Sequence, residues 1–175
     1  MTSLKGYDYE SDNVLLKNLP IPQLKGDNQL ENLAGCLRAI NILQDKLPVK
    51  LAAIKEGIRE TSMDGRLQIV SNQPYILADV AHNVDAANNL YNFFKESKRS
   101  GKIYAVFSIL ENKDIKKVLM PFIEIVDEWF VSEINDPRTQ KIDVIINTLK
   151  KFNNQIVVNK VVNINQAYKN WMRSG

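Results

Sequence analysis

The sequence predicts an α/β fold: a mostly parallel, Rossmann-like sheet with helices on both faces. Two observations support this fold class. Segments typical of strands and of helices alternate from residue 63 onward, and such alternation is found where helices connect parallel strands. The segment 103–107 is apolar throughout, which is typical of a central strand buried on both faces of a sheet.

The region before residue 63 has a different pattern. Residues 1–27 hold short possible strands and the proline-punctuated stretch 19–22, which together indicate a sheet edge and a connection. From Asn28 onward apolar residues recur at helical spacing, and Pro48 introduces a second helix. A short joint therefore separates two helices in this region.

We accordingly divide the chain into two domains, 1–62 and 63–175. In the second domain the pattern predicts strands near 67–70, 75–79, 103–107, 129–132 and 155–158, and helices near 84–97, 114–125, 138–151 and 164–173. If the strands are parallel, their carboxyl ends meet at one edge of the sheet, where open α/β sheets bind their ligands.

Composition and charge exclude several classes of protein. The chain of 175 residues is 45% hydrophobic and 25% charged, which suits a soluble protein with a buried core. Its 23 basic and 20 acidic side chains leave a formal charge of +3, too small to indicate a nucleic-acid partner. The locally basic run 95–102 follows a predicted helix, and we interpret it as a solvated helix exit.

Cysteine usage and apolar runs bear on the compartment. Cys36 has no second cysteine with which to pair, which is typical of a reducing compartment. No apolar run is long enough for a membrane helix, and the residues after Met1 lack a signal-peptide pattern. We therefore expect a cytoplasmic protein without a membrane partner.

The first candidate site lies at a predicted strand-to-helix turn. Asp79 follows an apolar strand, and His82, the only histidine of the chain, opens the next helix together with Asn83. A carboxylate, an imidazole and an amide would therefore converge where a helix begins. The alternatives are that His82 is an ordinary surface or core side chain and that Asn83 only caps the helix.

A second candidate site follows the strand 103–107. That strand runs into a polar loop with Lys113 and Asp114, and Asp114 is a plausible helix cap. In a parallel sheet this loop would lie at the same edge as Asp79 and His82, so that Lys113 could reach a bound anion. The alternative is that Lys113 and Asp114 only cap the helix and face solvent.

Five short runs share their order and spacing with one family of enzymes. They are Leu19-Pro20-Ile21-Pro22, Asn28-Gln29-Leu30-Glu31-Asn32-Leu33-Ala34, Gly65-Arg66-Leu67-Gln68, Asp79-Val80-Ala81-His82-Asn83 and Glu111-Asn112-Lys113-Asp114-Ile115. Over nearly the whole chain they resemble the carboxyl-terminal part of folylpolyglutamate synthase/dihydrofolate synthase, a relative of the Mur ligases. The resemblance implies that 1–62 is the end of a central ATPase domain and that 63–175 is a Mur ligase C-terminal, glutamate ligase domain without its last strand.

The activity that this resemblance implies is ATP-dependent carbon–nitrogen ligation. A carboxylate of dihydropteroate or of a folylpolyglutamate attacks the γ-phosphate of ATP, and the amine of L-glutamate then displaces phosphate from the acyl phosphate. Such chemistry needs Mg²⁺ and fixed positive charge around the phosphoryl oxygens, and close alignment of the two substrates. Related enzymes are commonly monomers, so a monomer is expected.

The resemblance also implies roles for individual residues. Asn32 matches the family asparagine that faces the ATP base, Arg66 the arginine that reaches ATP phosphate, and Asp79 the aspartate that binds the ribose. A planar, permanently charged guanidinium suits phosphate recognition. The alternative for Asn32 is a helix cap.

One further residue matches the substrate side of the family site. His82 matches a histidine near the phosphoryl group and the incoming glutamate, where it would orient and stabilise charge. Asn83 and Lys113 complete the predicted substrate-binding set.

Some parts of such a ligase are not found in these residues. No Gly-x-x-x-x-Gly-Lys-Ser/Thr run occurs in the sequence, and in the family the Mg²⁺ ligands lie upstream of the matched region. We therefore expect a fragment that is inactive alone. Two other hypotheses are a non-catalytic nucleotide- or phosphate-binding module and a metal site formed by Asp79, His82 and Asp85.

Overall fold

The computed structural model describes residues 6–11, 14–26, 29–97, 101–163, 166, 167 and 169. Contacts within the chain form two compact units, Met1–Val80 and Ala81–Gly175. The domain boundary after residue 62 stays a prediction. Among the described residues, no helix combines the length and the apolar character needed to cross a membrane.

The first unit starts with a two-stranded antiparallel sheet and two helices. Strand β1 (Tyr7–Ser11) pairs with β2 (Val14–Leu19), and helices α1 (Gln29–Leu43) and α2 (Leu51–Glu60) follow. Both helices were predicted, and α2 does begin shortly after Pro48. Their buried side chains form a small core with the strands, composed of Tyr9, Leu19, Leu37 and Ile58.

A second antiparallel pair completes this unit and corrects the predicted sheet. Strands β3 (Gln68–Asn72) and β4 (Tyr75–Ala78) pair with each other, whereas the alternation of elements had placed both in the parallel sheet. Only Gln73 and Pro74 connect them, and a parallel connection needs a crossover of about a dozen residues or more. The argument that Asp79 shares one sheet edge with Lys113 therefore does not hold.

The second unit contains a three-stranded parallel sheet in the order β5-β6-β7. Its strands are β5 (Tyr104–Phe107), β6 (Glu128–Val131) and β7 (Val157–Lys160). Tyr104 pairs with Glu128, and Glu128 pairs with Val157. Helix α3 (Val84–Glu96) precedes β5, α4 (Ile115–Leu119) follows it, and α5 (Ile142–Phe152) leads to β7. The α/β class is thus confirmed.

Both faces of this sheet are covered. On one face, Trp129 and Val131 of β6 pack in a core to which all three helices contribute, with Ala87, Val118, Leu119, Ile145 and Leu149 among its buried members. On the other face, Phe130 packs with Val161 and Ala167. Residues 166, 167 and 169 are helical, and the rest of the predicted helix 164–173 lies outside the described residues.

Two helices are shorter than their sequence pattern predicts. Helix α4 changes to a single 3₁₀ turn at Met120–Phe122, because Pro121 has no N–H to continue the α-helical hydrogen bonds. Helix α5 begins at Ile142 and not near residue 138. The preceding residues make other bonds: the Thr139 N–H donates to the Asp136 carbonyl, and the Gln140 N–H donates to the Ile109 carbonyl.

Candidate functional site

Arg66 lies on a tight turn between α2 and β3. Its neighbours Gly65 and Leu67 both have positive φ, +68° and +44°, a conformation that glycine adopts easily and other residues adopt at a cost. The Gly65 carbonyl accepts a hydrogen bond of 2.8 Å from the Val80 N–H. A β-carbon on Gly65 would lie 2.8 Å from Val80 Cγ1, so the turn packs directly against the residues that follow β4.

Side chains hold the main chain on both sides of Arg66. Gln68 Oε1 accepts a hydrogen bond of 2.9 Å from the Gly65 N–H, and Gln68 Nε2 donates to Asp64 Oδ1 at 3.0 Å. Asp79 Oδ2 accepts a hydrogen bond of 2.8 Å from the Leu67 N–H. The backbone of the turn is therefore fixed before any ligand arrives.

The Arg66 guanidinium, unlike the backbone of the turn, is not held by hydrogen bonds from the described residues. It is half-buried, and no residue in the described part of the chain forms a hydrogen bond or ion pair with it. Arg66 lines a cavity of about 230 Å³ together with Lys25, Thr61, Ser62 and other residues of the first unit. Two cationic side chains and the Ser62 hydroxyl suit an anionic group such as a phosphate. The Thr61 hydroxyl donates to the Gly57 carbonyl, and the Asp64 carboxylate, which accepts from Gln68 Nε2, also lines the cavity. Sequence reasoning missed Lys25, which stands in a short polar run with no recognisable motif.

Asp79 stands directly after β4 and is half-buried. One of its oxygens bonds the Leu67 N–H. An ionised carboxylate has about four acceptor positions on its two oxygens, so Asp79 keeps capacity for a hydroxyl donor such as a ribose. The structure thus brings Asp79 to the Arg66 turn by direct bonding.

Asn32 lies in the first turn of α1 and is exposed. It is the fourth residue of the helix, so it does not occupy the capping position that the alternative interpretation required. Within the described part of the chain, the Asn32 side chain makes no hydrogen bond. Its amide is therefore presented to solvent.

His82 and Asn83 belong to the second unit, where they precede α3. The Asn83 side chain caps the helix, since its Oδ1 accepts a hydrogen bond of 2.8 Å from the Ala86 N–H. Its Nδ2 group is not needed for this cap and stays available as a donor. His82 is exposed and stands one residue before the cap.

Lys113 lies in the loop between β5 and α4. Asp114 caps α4, as predicted, by accepting a hydrogen bond of 3.2 Å from the Lys117 N–H, and it pairs with Lys117 Nζ at 3.0 Å. These bonds with Lys117 hold the pKa of the Asp114 carboxyl below its usual value. The Lys113 side chain is half-buried and has no ion-pair partner in the described part of the chain.

Two serines that the sequence analysis did not single out stand at the carboxyl ends of β5 and β6. Phe107 pairs with Val131, so Ser108 and Ser132 follow at matching positions, and the Ser132 N–H donates to the Phe107 carbonyl at 3.2 Å. Ser108 Oγ is buried and has no hydrogen-bond partner among the residues that the structure describes. Hydroxyl residues directly after apolar strands are the signal that would have found them.

No metal centre forms among the described residues, since no three His, Cys, Asp or Glu side chains come together there. Asp79, His82 and Asp85 are therefore not assembled into a metal site. Asp79 follows β4 in the first unit and bonds Leu67, whereas Asp85 lies in the first turn of α3 in the second unit.

Comparison with known proteins identifies the family to which this fold belongs. Residues 65–175 match the family model of the Mur ligase, glutamate ligase domain. A dihydrofolate synthase/folylpolyglutamate synthase of Buchnera aphidicola subsp. Schizaphis graminum is 33% identical over 171 residues, 96% of this chain. The enzyme of that name from Escherichia coli (strain K12) is 37% identical over 123 residues, 70% of this chain. The chain therefore belongs to the dihydrofolate synthase/folylpolyglutamate synthase family of Mur ligases.

Solved structures agree with this assignment. E. coli FolC in complex with DHPP and ADP matches 100% of this chain with a TM-score of 0.77 at 28% identity. A bifunctional folylpolyglutamate synthase/dihydrofolate synthase with Mn, AMPPNP and L-glutamate bound matches 99% of it with a TM-score of 0.77 at 29% identity. The chain spans only 39% of each of these structures and 38% of the Buchnera relative.

Proposed function

We propose that this chain supplies part of the ATP and glutamate sites of a ligase that adds L-glutamate to dihydropteroate or to a folylpolyglutamate through an acyl phosphate. The observation that carries the proposal is the half-buried Arg66 guanidinium, which has no hydrogen-bond or ion-pair partner among the described residues and lies on a turn whose backbone is already held on both sides. Fixed positive charge of this kind stabilises a phosphoryl group during transfer.

On the nucleotide side, Arg66 binds a phosphate of ATP and the remaining acceptor positions of Asp79 bind the ribose hydroxyls. The hydrogen bond from the Leu67 N–H to Asp79 supports this arrangement, because it joins the two groups through the turn. Asn32 presents its amide to the base from the first turn of α1. A fixed arrangement lowers the entropic cost of orienting the nucleotide.

On the substrate side, His82, the Nδ2 group of Asn83 and Lys113 bind the incoming glutamate. Lys113 neutralises a carboxylate, and its half-buried position strengthens that attraction relative to bulk water. His82 orients the substrate and stabilises charge. We do not assign it an obligatory role as a base.

Mg²⁺ accompanies ATP in the proposed reaction, where a divalent cation neutralises phosphate charge. The described residues contain no set of three side chains fit to hold it, so no step is assigned to a metal ligand of this chain. One solved relative was crystallised with Mn.

Alone, this chain does not ligate glutamate under our proposal. It spans 38% of the Buchnera relative, and its sequence has no Gly-x-x-x-x-Gly-Lys-Ser/Thr loop to cradle the β- and γ-phosphates. We further propose that the complete enzyme is a cytoplasmic monomer.

A chimeric enzyme tests the proposal. The segment of the E. coli relative that aligns with this chain is replaced by the chain, and ATP-dependent addition of glutamate to dihydropteroate is measured. We expect activity, and a loss of about a hundredfold in kcat/KM for Arg66→Ala. Arg59→Ala, an exposed arginine in the last turn of α2, is the matched control. An active chimera in which Arg66→Ala and Arg59→Ala behave alike would contradict the role of Arg66.

The second candidate function is a nucleotide- or phosphate-binding module without turnover. The cavity of about 230 Å³ lined by Arg66 and Lys25 favours it, because both cationic side chains belong to the first unit. Calorimetric titration of the chain with ATP separates the candidates. Binding in the micromolar range together with an inactive chimera would favour the module, whereas weak binding together with an active chimera favours the ligase.

A further inference from the structure

Gln68 occupies an unusual position in the turn that carries Arg66. From the first residue of β3 its side chain reaches back to bond both residues that precede Arg66, with Oε1 accepting from the Gly65 N–H at 2.9 Å and Nε2 donating to Asp64 Oδ1 at 3.0 Å. Both polar atoms of the amide are thus used within four residues of chain.

No other residue type reproduces this pair of bonds. Glutamate keeps an acceptor for the Gly65 N–H but has no donor for Asp64, and it brings a second negative charge beside that carboxylate. Asparagine is shorter by one methylene group. Methionine fills a similar volume and makes neither bond.

The bonds of Gln68 matter because the turn is in a conformation that the chain does not adopt by default. Gly65 and Leu67 have positive φ on either side of Arg66, and a non-glycine residue in this region is held there by its surroundings. Asp79 holds the Leu67 side, and Gln68 holds the Gly65 side. The direction in which Arg66 leaves the backbone depends on both.

We propose that Gln68 is a positioning residue for Arg66: its amide holds Gly65 in the left-handed conformation and so directs the guanidinium into the cavity that Lys25 also lines. This inference rests on the proposed function in one respect, namely that the ligand of Arg66 is a phosphate of ATP. Gln68 itself touches no reacting atom. It acts through the backbone of the turn, as supporting residues do when they fix the geometry of a binding group.

Amide hydrogen exchange on the 175-residue chain tests the conformational part. In Gln68→Met the Gly65 N–H loses its acceptor, and we expect the Leu67 N–H to exchange about tenfold faster as well, because the whole turn opens more often. The control is Gln73→Met, which changes an exposed glutamine at the opposite end of the β3–β4 hairpin. Unchanged protection of the Leu67 N–H in Gln68→Met would overturn the proposal, since the conformation of the turn around Arg66 would then not depend on Gln68.

ATP titrations followed by NMR test whether Gln68 acts through Arg66. Gln68→Met is expected to weaken ATP binding about tenfold in the native background and to have no further effect in an Arg66→Ala background. Equal losses in both backgrounds would overturn the proposal. If Arg66→Ala binds ATP as well as the native chain does, the phosphate role of Arg66 fails, and the exchange result still decides whether Gln68 sets the turn.

Discussion

The carboxylate of Asp79 accepts a hydrogen bond of 2.8 Å from the N–H of Leu67, across twelve residues of chain. Leu67 is only 3% exposed and has a φ of +44°, so this bond fixes the far side of the turn that carries Arg66. Asp79 therefore has a structural role that is independent of any ligand. Its proposed role toward the nucleotide has to be separated from this one by experiment.

Removal of the Asp79 side chain should destabilise the first unit. In Asp79→Ala the Leu67 N–H loses its partner, which costs about 1–3 kcal/mol in the free energy of unfolding. Asp79→Asn keeps an acceptor oxygen and should cost less than about 1 kcal/mol. Urea denaturation measures both, with Asp45→Ala at an exposed turn position as control. Equal stability of Asp79→Ala and Asp45→Ala would refute the structural role.

Two glycine substitutions should have opposite effects. Gly65→Ala strains a residue with a φ of +68° and brings its β-carbon to 2.8 Å from Val80 Cγ1, so we expect a loss of about 2 kcal/mol or more. Gly57→Ala lies in α2 with no atom within 4 Å of the added carbon, and it should stabilise the chain by about 0.5–1 kcal/mol. Thermal unfolding monitored by circular dichroism compares them. If Gly65→Ala is as stable as Gly57→Ala, the expected strain at Gly65 is contradicted.

Substitution of Asn83 should separate its capping role from its proposed substrate role. Asn83→Ala removes the acceptor for the Ala86 N–H and should cost about 1 kcal/mol of stability. Asn83→Asp keeps the cap but loses the Nδ2 donor, so stability should be retained while glutamate binding in the chimeric enzyme weakens. Asn88→Ala, an exposed position of α3, is the control. An unaltered KM for glutamate in Asn83→Asp would contradict the proposed substrate role, and only the capping role of Asn83 would remain.

The loop after β6, which contains Asp136, should lose stability at acidic pH. Hydrogen bonds from the Arg138 side chain, and then from its backbone N–H, lower the pKa of Asp136 from 3.8 to about 2. A lowered carboxyl pKa contributes stability that is present above about pH 4 and lost as the pH falls through about 2.

NMR titration of the Asp136 carboxyl carbon checks this dependence. Arg138→Gln should bring the pKa of Asp136 back toward 3.8, because the charged donor is removed. Lys141→Gln, which disturbs the neighbouring ion pair with Glu133, should leave the Asp136 pKa unchanged. The same Asp136 pKa in native and Arg138→Gln chains would show that the side-chain bonds of Arg138 do not form in solution.

Local pattern was enough to predict most elements. Helices α1, α2 and α3 lie close to where apolar spacing placed them, since a helix buries one face at a period of 3.6 residues and this period is visible in the chain. The cap at Asp114 was predicted, and the cap at Asn83 was the alternative interpretation of that residue, because a helix cap depends on residues adjacent in sequence.

Strand pairing was harder to predict. The segments that form β3 and β4 have ordinary strand patterns, yet they pair with each other and not with β5. An apolar pattern shows that a segment is a strand but does not show which strand it pairs with. The two-residue connection between β3 and β4 was the only local sign that they pair with each other. The roles of Gln68 and Lys25 were missed because they depend on which side chains the folded turn brings together.

The amino-acid order alone established the α/β class, the positions of most helices, the cap at Asp114 and the family resemblance, because each depends on periodicity, neighbouring residues or motifs along the chain. Only the folded chain decided that Asp79 bonds Leu67 and that the Arg66 guanidinium, on a fixed turn, has no partner in the described part of the chain. These features arise from hydrogen bonds between residues distant in sequence, and their geometry exists only after β3 and β4 have paired.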